Sequence, residues 1–125
     1  MINWDKFPNF QESEFDCTAT GANEMREEFL ELLQKIRNHY GRPMFITSGY
    51  RDVTHPIEVL KDEPGEHTLG LAADISATGM QALELVVICH KLGVRRVGIM
   101  QRDNMRFIHI GIGDRYGFPE AFWSY

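Results

Sequence analysis

Two histidines and one aspartate supply the donor groups of a catalytic zinc site. His67 and Asp74 stand seven positions apart, and His109 follows in the segment Phe107–Ile110. Zinc accepts two imidazole nitrogens and one carboxylate oxygen, and a catalytic zinc keeps a further position for water. If these three side chains converge, the sequence indicates a hydrolase.

Strand alternation decides whether Asp74 and His109 can meet. Successive side chains of a strand point to opposite faces of the sheet. In the strand predicted over Leu71–Ile75, the larger apolar residues share one face and Asp74 lies on the other. In the strand predicted over Arg106–Ile112, three isoleucines share one face and His109 lies on the other. Both predicted ligands therefore project away from the core.

Asp74 and His109 each have an interpretation without a metal as well. A carboxylate within an apolar strand, such as Asp74, needs a compensating cation, and either zinc or a salt bridge with Arg51 would supply it. His109 would otherwise be a hydrogen-bonded histidine of the sheet. His39 and His90 stand near predicted helix C-termini, where imidazole complements exposed carbonyls, and we do not count them among the ligands.

The remaining elements predict an α+β fold. Apolar residues recur at helical spacing from Ala22–Asn23 to about Tyr40. Thr78 and Gln81 predict a capping box for a second helix that continues to Leu92. Four strands are predicted, over Met44–Thr47, Leu71–Ile75, Val94–Met100 and Arg106–Ile112. The last two flank a short turn over Gln101–Asn104, which predicts an antiparallel hairpin.

Two further segments lie beside the predicted site in sequence. Residues 52 to 70 read as a long loop with one helical turn around Ile57–Lys61, and a loop of that length in a small domain usually has a function. Five aromatic residues occur between Tyr116 and Tyr125. They either close the cleft, form a contact surface or pack over the sheet.

The composition fits one compact domain spanning residues 1–125, with 43% hydrophobic and 25% charged residues. A net charge of −5 argues against nucleic acid or an anionic membrane surface as the main partner. The N-terminus shows no basic segment before an apolar stretch, so we expect synthesis in the cytoplasm. Cys17 and Cys89 are too few for a disulfide framework. Cys89 is expected inside a helix, and Cys17 is an alternative fourth metal ligand.

Three short motifs form a set: Ser-Gly-Tyr-Arg at 48–51, His-x-x-Gly-x-Ala-x-Asp at 67–74 and Phe-Ile-His at 107–109. The set resembles the zinc peptidases of the D-Ala-D-Ala carboxypeptidase type, which include phage endolysins and the related hedgehog signalling domain. Most of the chain resembles the small single-domain phage members. The resemblance implies a central antiparallel sheet flanked by helices, with one zinc per chain held by His67, Asp74 and His109.

The same resemblance implies roles for residues around the metal. Arg51 would clamp a substrate carboxylate or the oxygen on which charge develops, which suits an always-charged, bidentate guanidinium. A structural ion pair with a neighbouring aspartate is the other interpretation. Ser48 and Tyr50 would position the peptide, although Tyr50 equally fits a core aromatic. His55 would stabilise the transition state from the long loop, or simply pack there.

The catalytic base is the part of the resemblance that the chain does not reproduce. Many relatives carry an acid three residues before the last histidine, where this chain has Arg106. Small phage relatives often carry an aspartate two residues after it, where this chain has Gly111. The acids near enough in sequence to substitute are Asp103, Asp114, Glu66 and Glu63. Asp103 is favoured because it lies in the turn beside the final strand.

The sequence therefore predicts a monomeric zinc peptidase that cleaves a D-Ala or L-Ala-D-Glu type bond in the peptidoglycan stem peptide. Its expected setting is that of a phage or prophage endolysin, made in the cytoplasm and acting at the cell wall, or of a virion component. The alternative is a catalytically inactive, zinc-stabilised binding or virion structural module. A domain that binds no metal is the third interpretation.

Overall fold

A five-stranded sheet forms the centre of the computed structural model, which describes residues 1–125. The strands run in the order β1-β2-β4-β3-β5, and every neighbouring pair is antiparallel except β3 and β5. The strands are β1 Ile46–Ser48, β2 Ala72–Ser76, β3 Arg96–Arg102, β4 Met105–Gly111 and β5 Ala121–Ser124, and the helices are α1 Glu27–Tyr40 and α2 Met80–Lys91. The predicted α+β class is confirmed, and the sheet is antiparallel apart from its last pair.

Register places the candidate ligands in the middle of the sheet. In the β2–β4 pair, Asp74 lies directly opposite His109. On the other side of β4, His109 lies opposite Gly98 of β3, and Gly98 in turn lies opposite Trp123 of β5. Directly opposed residues of antiparallel strands have side chains close enough to interact. The hairpin predicted between the last two strands is present, with its turn at Asp103 and Asn104.

The other face of the sheet carries the core. Both helices contribute to one buried cluster that includes Ile75, Ile108 and Ile110, each with no solvent exposure. α2 packs against β3 and β4 and also contacts α1. Neither helix combines the length and the apolar character that crossing a bilayer requires. The core therefore fixes one face of β2 and β4 and leaves Asp74 and His109 on the opposite one.

The start of α1 differs from the prediction. The helix begins at Glu27, and Arg26 before it has an extended backbone whose N–H donates to Gly70 O. Met25 is nevertheless buried, at 5% exposure. Its apolar side chain fits the helical spacing but reaches the core from an extended segment, because that segment is held against the loop that precedes β2.

The predicted capping box of α2 is wrong. Gly79 is the N-cap residue, and no side chain caps the helix. Gln81 uses its backbone N–H, which donates to Thr78 O. The N–H of Gly79 instead donates to the side chain of Gln101 from the β3–β4 hairpin. A contact distant in sequence thus replaces the local one.

The long loop contains two short 3₁₀ turns, Glu58–Leu60 and Glu66–Leu69. The second turn ends at Gly70, whose φ is +71°. A Cβ at Gly70 would also lie 2.1 Å from Glu24 O. Glycine is therefore required there by the left-handed backbone and by the close approach of the segment before α1.

Candidate metal centre and active site

Three donor atoms converge over the polar face of the sheet. The Nε2 atom of His67 lies 3.2 Å from Nδ1 of His109 and 3.4 Å from Oδ1 of Asp74. The third side of this triangle, from Nδ1 of His109 to Oδ1 of Asp74, is 3.1 Å. The three residues are at most 5% exposed and form a group able to hold a metal ion. We call these three residues the donor triangle.

The second nitrogen of each imidazole is already engaged. The Nδ1–H of His67 donates to Gly49 O over 2.8 Å, and Nε2 of His109 lies 2.6 Å from Oε2 of Glu66. Hydrogen bonds of this kind fix the orientation and tautomer of metal-binding histidines. Each ring can thus present an unprotonated nitrogen to the centre of the donor triangle.

Charge in the donor triangle is distributed unevenly. Burial alone would raise the pKa of Asp74, but its close contacts with His109 and His67 hold that pKa well below its ordinary value. Burial lowers the pKa of His67. Burial also opposes protonation of His109, yet contacts with Asp74 and Glu66 raise its pKa above the ordinary value. The acid is thus held ionised, as a metal ligand must be.

The donor triangle fits zinc in both size and chemistry. Zinc bonds of about 2.0–2.1 Å in a tetrahedral arrangement place donor atoms roughly 3.3–3.4 Å apart. The observed separations of 3.1 to 3.4 Å approach this value without rearrangement. The set contains three ligands, so it has the composition of catalytic rather than closed structural zinc sites.

Arg51, in the loop that follows β1, makes hydrogen bonds to the donor triangle and to its surroundings. Its Nη2 donates to Oδ2 of Asp74 and its Nη1 to Oε2 of Glu58, both over 3.2 Å. Its Nε donates to the hydroxyl of Ser48 over 3.0 Å. The ion pair with Asp74, one of the two interpretations of Arg51, is therefore present. Three of the guanidinium's five N–H groups make these contacts. The Arg51 side chain also lines two cavities beside the donor triangle, which are described below.

Glu66 is the acid that the structure brings to the site. Its side chain is 2% exposed, and its Oε2 accepts from Nε of Arg96 over 2.9 Å besides contacting His109. Oε1 accepts from the backbone N–H of Gly113 over 2.8 Å. Burial raises the pKa of Glu66, but these donors outweigh it and hold the pKa below the ordinary value. Arg96 was not anticipated, since nothing in its local sequence distinguishes it from the exposed Arg95.

The donor triangle opens into two adjoining cavities. One, of about 370 Å³, is lined by Glu66, His67, Asp74 and His109 together with Lys61 and Arg96. Aromatic side chains from the C-terminal segment also line it, and the Trp123 ring lies 5.0 Å from that of His109. Trp123 and Tyr125 thus both pack over the sheet and bound the cleft.

The second cavity, of about 510 Å³, continues past Arg51 and Asp74 toward the β3–β4 hairpin. Ser48 and His55 line it, as the sequence-based roles require. His55 is half-buried, and its Nδ1 accepts from the N–H of Ile57 while its Nε2 contacts the Thr18 hydroxyl. Both residues therefore face the groove beside the donor triangle.

Three other predicted residues lie elsewhere. Tyr50 belongs to the core, and its hydroxyl donates to Glu24 over 2.6 Å. Asp103 occupies the exposed hairpin turn, with φ of +57°. Cys17 is buried outside the donor triangle, where its sulfur accepts from the N–H of Asp52. The structure brings none of the three to the donor triangle.

The other two acids named from the sequence do not line the cleft. Glu63 is exposed in the loop, and Asp114 lies in the short turn after β4; neither lines the two cavities. Arg106 is exposed and donates to the backbone O of Asp103. Of the four acids named from the sequence, Glu66 alone lines the cleft. Proximity in sequence favours Asp103, but the 3₁₀ turn Glu66–Leu69 places Glu66 beside His109 instead.

A buried donor triangle at the floor of a cleft, on the polar face of an α+β sheet, has the form of a catalytic metal site. Residues 8–111 match the family model of peptidase M15. The chain therefore belongs to the peptidase M15 family, whose members are zinc metallopeptidases. No curated protein sequence matches the chain significantly.

Proposed function

We propose that this protein is a zinc-dependent peptidase that cleaves peptidoglycan stem peptides, in the manner of a phage or prophage endolysin. One observation carries the proposal: Nε2 of His67, Oδ1 of Asp74 and Nδ1 of His109 lie 3.1 to 3.4 Å apart at the floor of a cleft. Membership of the peptidase M15 family supports the reaction class. The endolysin setting is supported by the resemblance of the motifs to small phage members.

Zinc held here would activate a water molecule, whose pKa it lowers to about 7, and would polarise the scissile carbonyl. The chain's own residues provide orientation and charge. Arg51 fixes the carboxylate of Asp74 through its Oδ2 atom and leaves Oδ1 in the donor triangle. Gly49 and Glu66 orient the two imidazoles from outside.

Peptide binding is assigned to the groove formed by the two cavities. Both are lined by Arg51, Asp74 and Phe107, so the groove continues on either side of the donor triangle. A peptide can then extend in both directions from the bond that is cut, which favours an endopeptidase over a carboxypeptidase.

Digestion of purified peptidoglycan by the zinc-loaded protein tests this function. We expect new amino groups to appear, no activity with excess chelator, and no activity for His67→Ala. His39→Ala, at the C-terminal end of α1, is the matched control and should retain full activity. Mass spectrometry of the products separates the two bond types, because a carboxypeptidase releases free D-alanine and an L-Ala-D-Glu endopeptidase exposes a new D-Glu amino terminus. Zinc-loaded protein that releases neither product contradicts the enzyme proposal.

One observation favours the alternative of an inactive zinc-stabilised module. Glu66, the one carboxylate of the cleft outside the donor triangle, already accepts from Arg96, His109 and Gly113. Such an acid is poorly placed to take a proton from water as well. The alternative predicts that the protein binds about one zinc and releases no products. It also predicts that the protein sediments with intact peptidoglycan.

A further inference from the structure

The carboxylate of Glu66 and the glycine at position 111 occupy neighbouring space in a way that the metal site alone does not explain. An ideal Cβ at Gly111 would lie 2.2 to 2.3 Å from the carboxylate atoms of Glu66. Non-bonded atoms do not approach this closely, so any side chain at position 111 requires Glu66 to move. Position 111 is two residues beyond His109 and shares its face of β4.

Glu66 contacts the edge of the His109 ring that faces away from the donor triangle. Its Oε2 lies 2.6 Å from Nε2, whereas Nδ1 is the atom that faces Asp74 and His67. In the neutral imidazole, a carboxylate that accepts the Nε2–H makes Nδ1 the unprotonated nitrogen and fixes the plane of the ring. Glu66 therefore acts on the donor triangle through His109.

Glu66 is itself fixed in place. Arg96 donates to Oε2 from β3, and the backbone N–H of Gly113 donates to Oε1. The Arg96 guanidinium also lies 5.3 Å from the centre of the Trp123 ring. These contacts form a carboxylate-binding position beside His109, made of the Arg96 guanidinium, the Gly113 N–H and the imidazole Nε2.

We propose that Glu66 is a positioning residue for His109, and that Gly111 leaves room for it. The carboxylate-binding position then accepts one acid, which reaches it either from position 66 or from position 111 of β4. In this chain the acid comes from position 66. The positioning role rests on the metal site of the proposed function. The steric clash between the Glu66 carboxylate and any side chain at position 111 does not depend on a bound metal.

A double-mutant cycle tests the proposal with wild type, Glu66→Ala, Gly111→Asp and the double variant. The first readout is the urea midpoint of each protein with zinc removed by chelator. Gly111→Asp should lower the midpoint in the wild-type background and should leave it unchanged or raise it in the Glu66→Ala background. An equal decrease in both backgrounds overturns the proposal. This readout is valid even if the chain binds no zinc, so it separates failure of this inference from failure of the proposed function.

The second readout is zinc affinity, measured by competition with a chromogenic chelator. Loss of a carboxylate that orients a metal-binding histidine typically lowers affinity about 10–100-fold, and we expect this for Glu66→Ala. The double variant should recover most of the loss. Glu66→Gln, which retains an acceptor oxygen, should show a smaller loss than Glu66→Ala. Wild-type affinity in Glu66→Ala would overturn the positioning role.

Cobalt supplies a readout that a merely structural role would not change. The visible spectrum of the Co²⁺-loaded protein depends on the ligand geometry around the ion. We expect Glu66→Ala to alter the spectrum, and the double variant to restore the wild-type bands. An unchanged spectrum in Glu66→Ala contradicts the proposal.

Discussion

Arg51 and Asp74 form an ion pair in which only one of the two carboxylate oxygens contacts the guanidinium. Nη2 of Arg51 donates to Oδ2 over 3.2 Å, while Oδ1 lies within 3.4 Å of both histidine donor atoms. The side chains of both residues are almost fully buried, at 11% and 6% exposure. The interpretations of Arg51 as a structural ion-pair partner and as a cleft residue are thus compatible, because one guanidinium serves both.

This arrangement predicts that Arg51→Gln weakens zinc binding as well as peptide cleavage. Without the guanidinium, Oδ2 of Asp74 loses its partner and the carboxylate is free to rotate away from the two imidazoles. We expect zinc affinity to fall by roughly tenfold or more, the size typical of lost outer contacts, and cleavage of peptidoglycan to fall further. Arg102→Gln, at the exposed end of β3, is the control. Unchanged zinc affinity together with a raised KM would instead assign Arg51 to substrate alone.

Much of the site could be predicted from local sequence, since alternation along β2 and β4 is a property of neighbouring residues. It correctly placed Asp74 and His109 on the face opposite Ile75 and Ile108. The strand register that sets them directly opposite one another is a pairing of distant segments, which alternation alone does not determine. Periodicity therefore sufficed wherever a residue's position depended on its own strand.

What the sequence could not provide depends on contacts between distant segments. Glu66 reaches His109 because the 3₁₀ turn Glu66–Leu69 packs beside β2, the strand paired with β4, and no local pattern encodes that packing. β5 was missed because only four residues pair with β3, in parallel, after an irregular connection. Helical spacing wrongly predicts a helix for the extended segment before α1, because Met25 fits that spacing although its backbone N–H donates to the side chain of Asn23.

Tyr50→Phe should separate a core role from a substrate role. The Tyr50 hydroxyl donates to Glu24, and burial together with this contact raises the pKa of the phenol above its ordinary value. Removing the hydroxyl should cost about 1 kcal/mol of unfolding free energy, the usual size for one hydrogen bond. The KM for peptide should not change, because the ring stays in the core. A raised KM with unchanged stability would restore Tyr50 as a peptide-binding residue.

The stabilisation that the Glu58 carboxylate gives to the loop between β1 and β2 should be lost in acid. Burial raises the pKa of this carboxyl, but hydrogen bonds from Gly65 N–H and Lys61 outweigh it and lower the pKa below the ordinary 4.5. The ionised form is thus favoured in the folded state, so its stabilisation is complete above about pH 5 and is lost as pH falls through the lower folded value.

The difference in unfolding free energy between wild type and Glu58→Gln should therefore be largest near neutral pH and should shrink below about pH 4. Chemical denaturation at a series of pH values measures it. Glu63→Gln, an exposed carboxylate of the same loop, is the control and should give a small difference at every pH. A difference for Glu58→Gln that stays constant across the series would show that its carboxylate charge contributes nothing.

Gly98→Ala should displace Trp123 from the cleft. A Cβ at position 98 would lie 2.6 Å from the indole ring, and that ring packs 5.0 Å from His109. Overpacking of this kind typically costs about 1–3 kcal/mol. We expect that loss in stability, a shift in tryptophan fluorescence and a raised KM, since Trp123 bounds one side of the groove. The Trp123→Leu variant has no indole and therefore no clash, so Gly98→Ala should lower the unfolding free energy less in that background than in wild type. An equal cost in both backgrounds would mean that the strain lies in the β3 backbone and that Trp123 does not depend on Gly98 for its place beside His109.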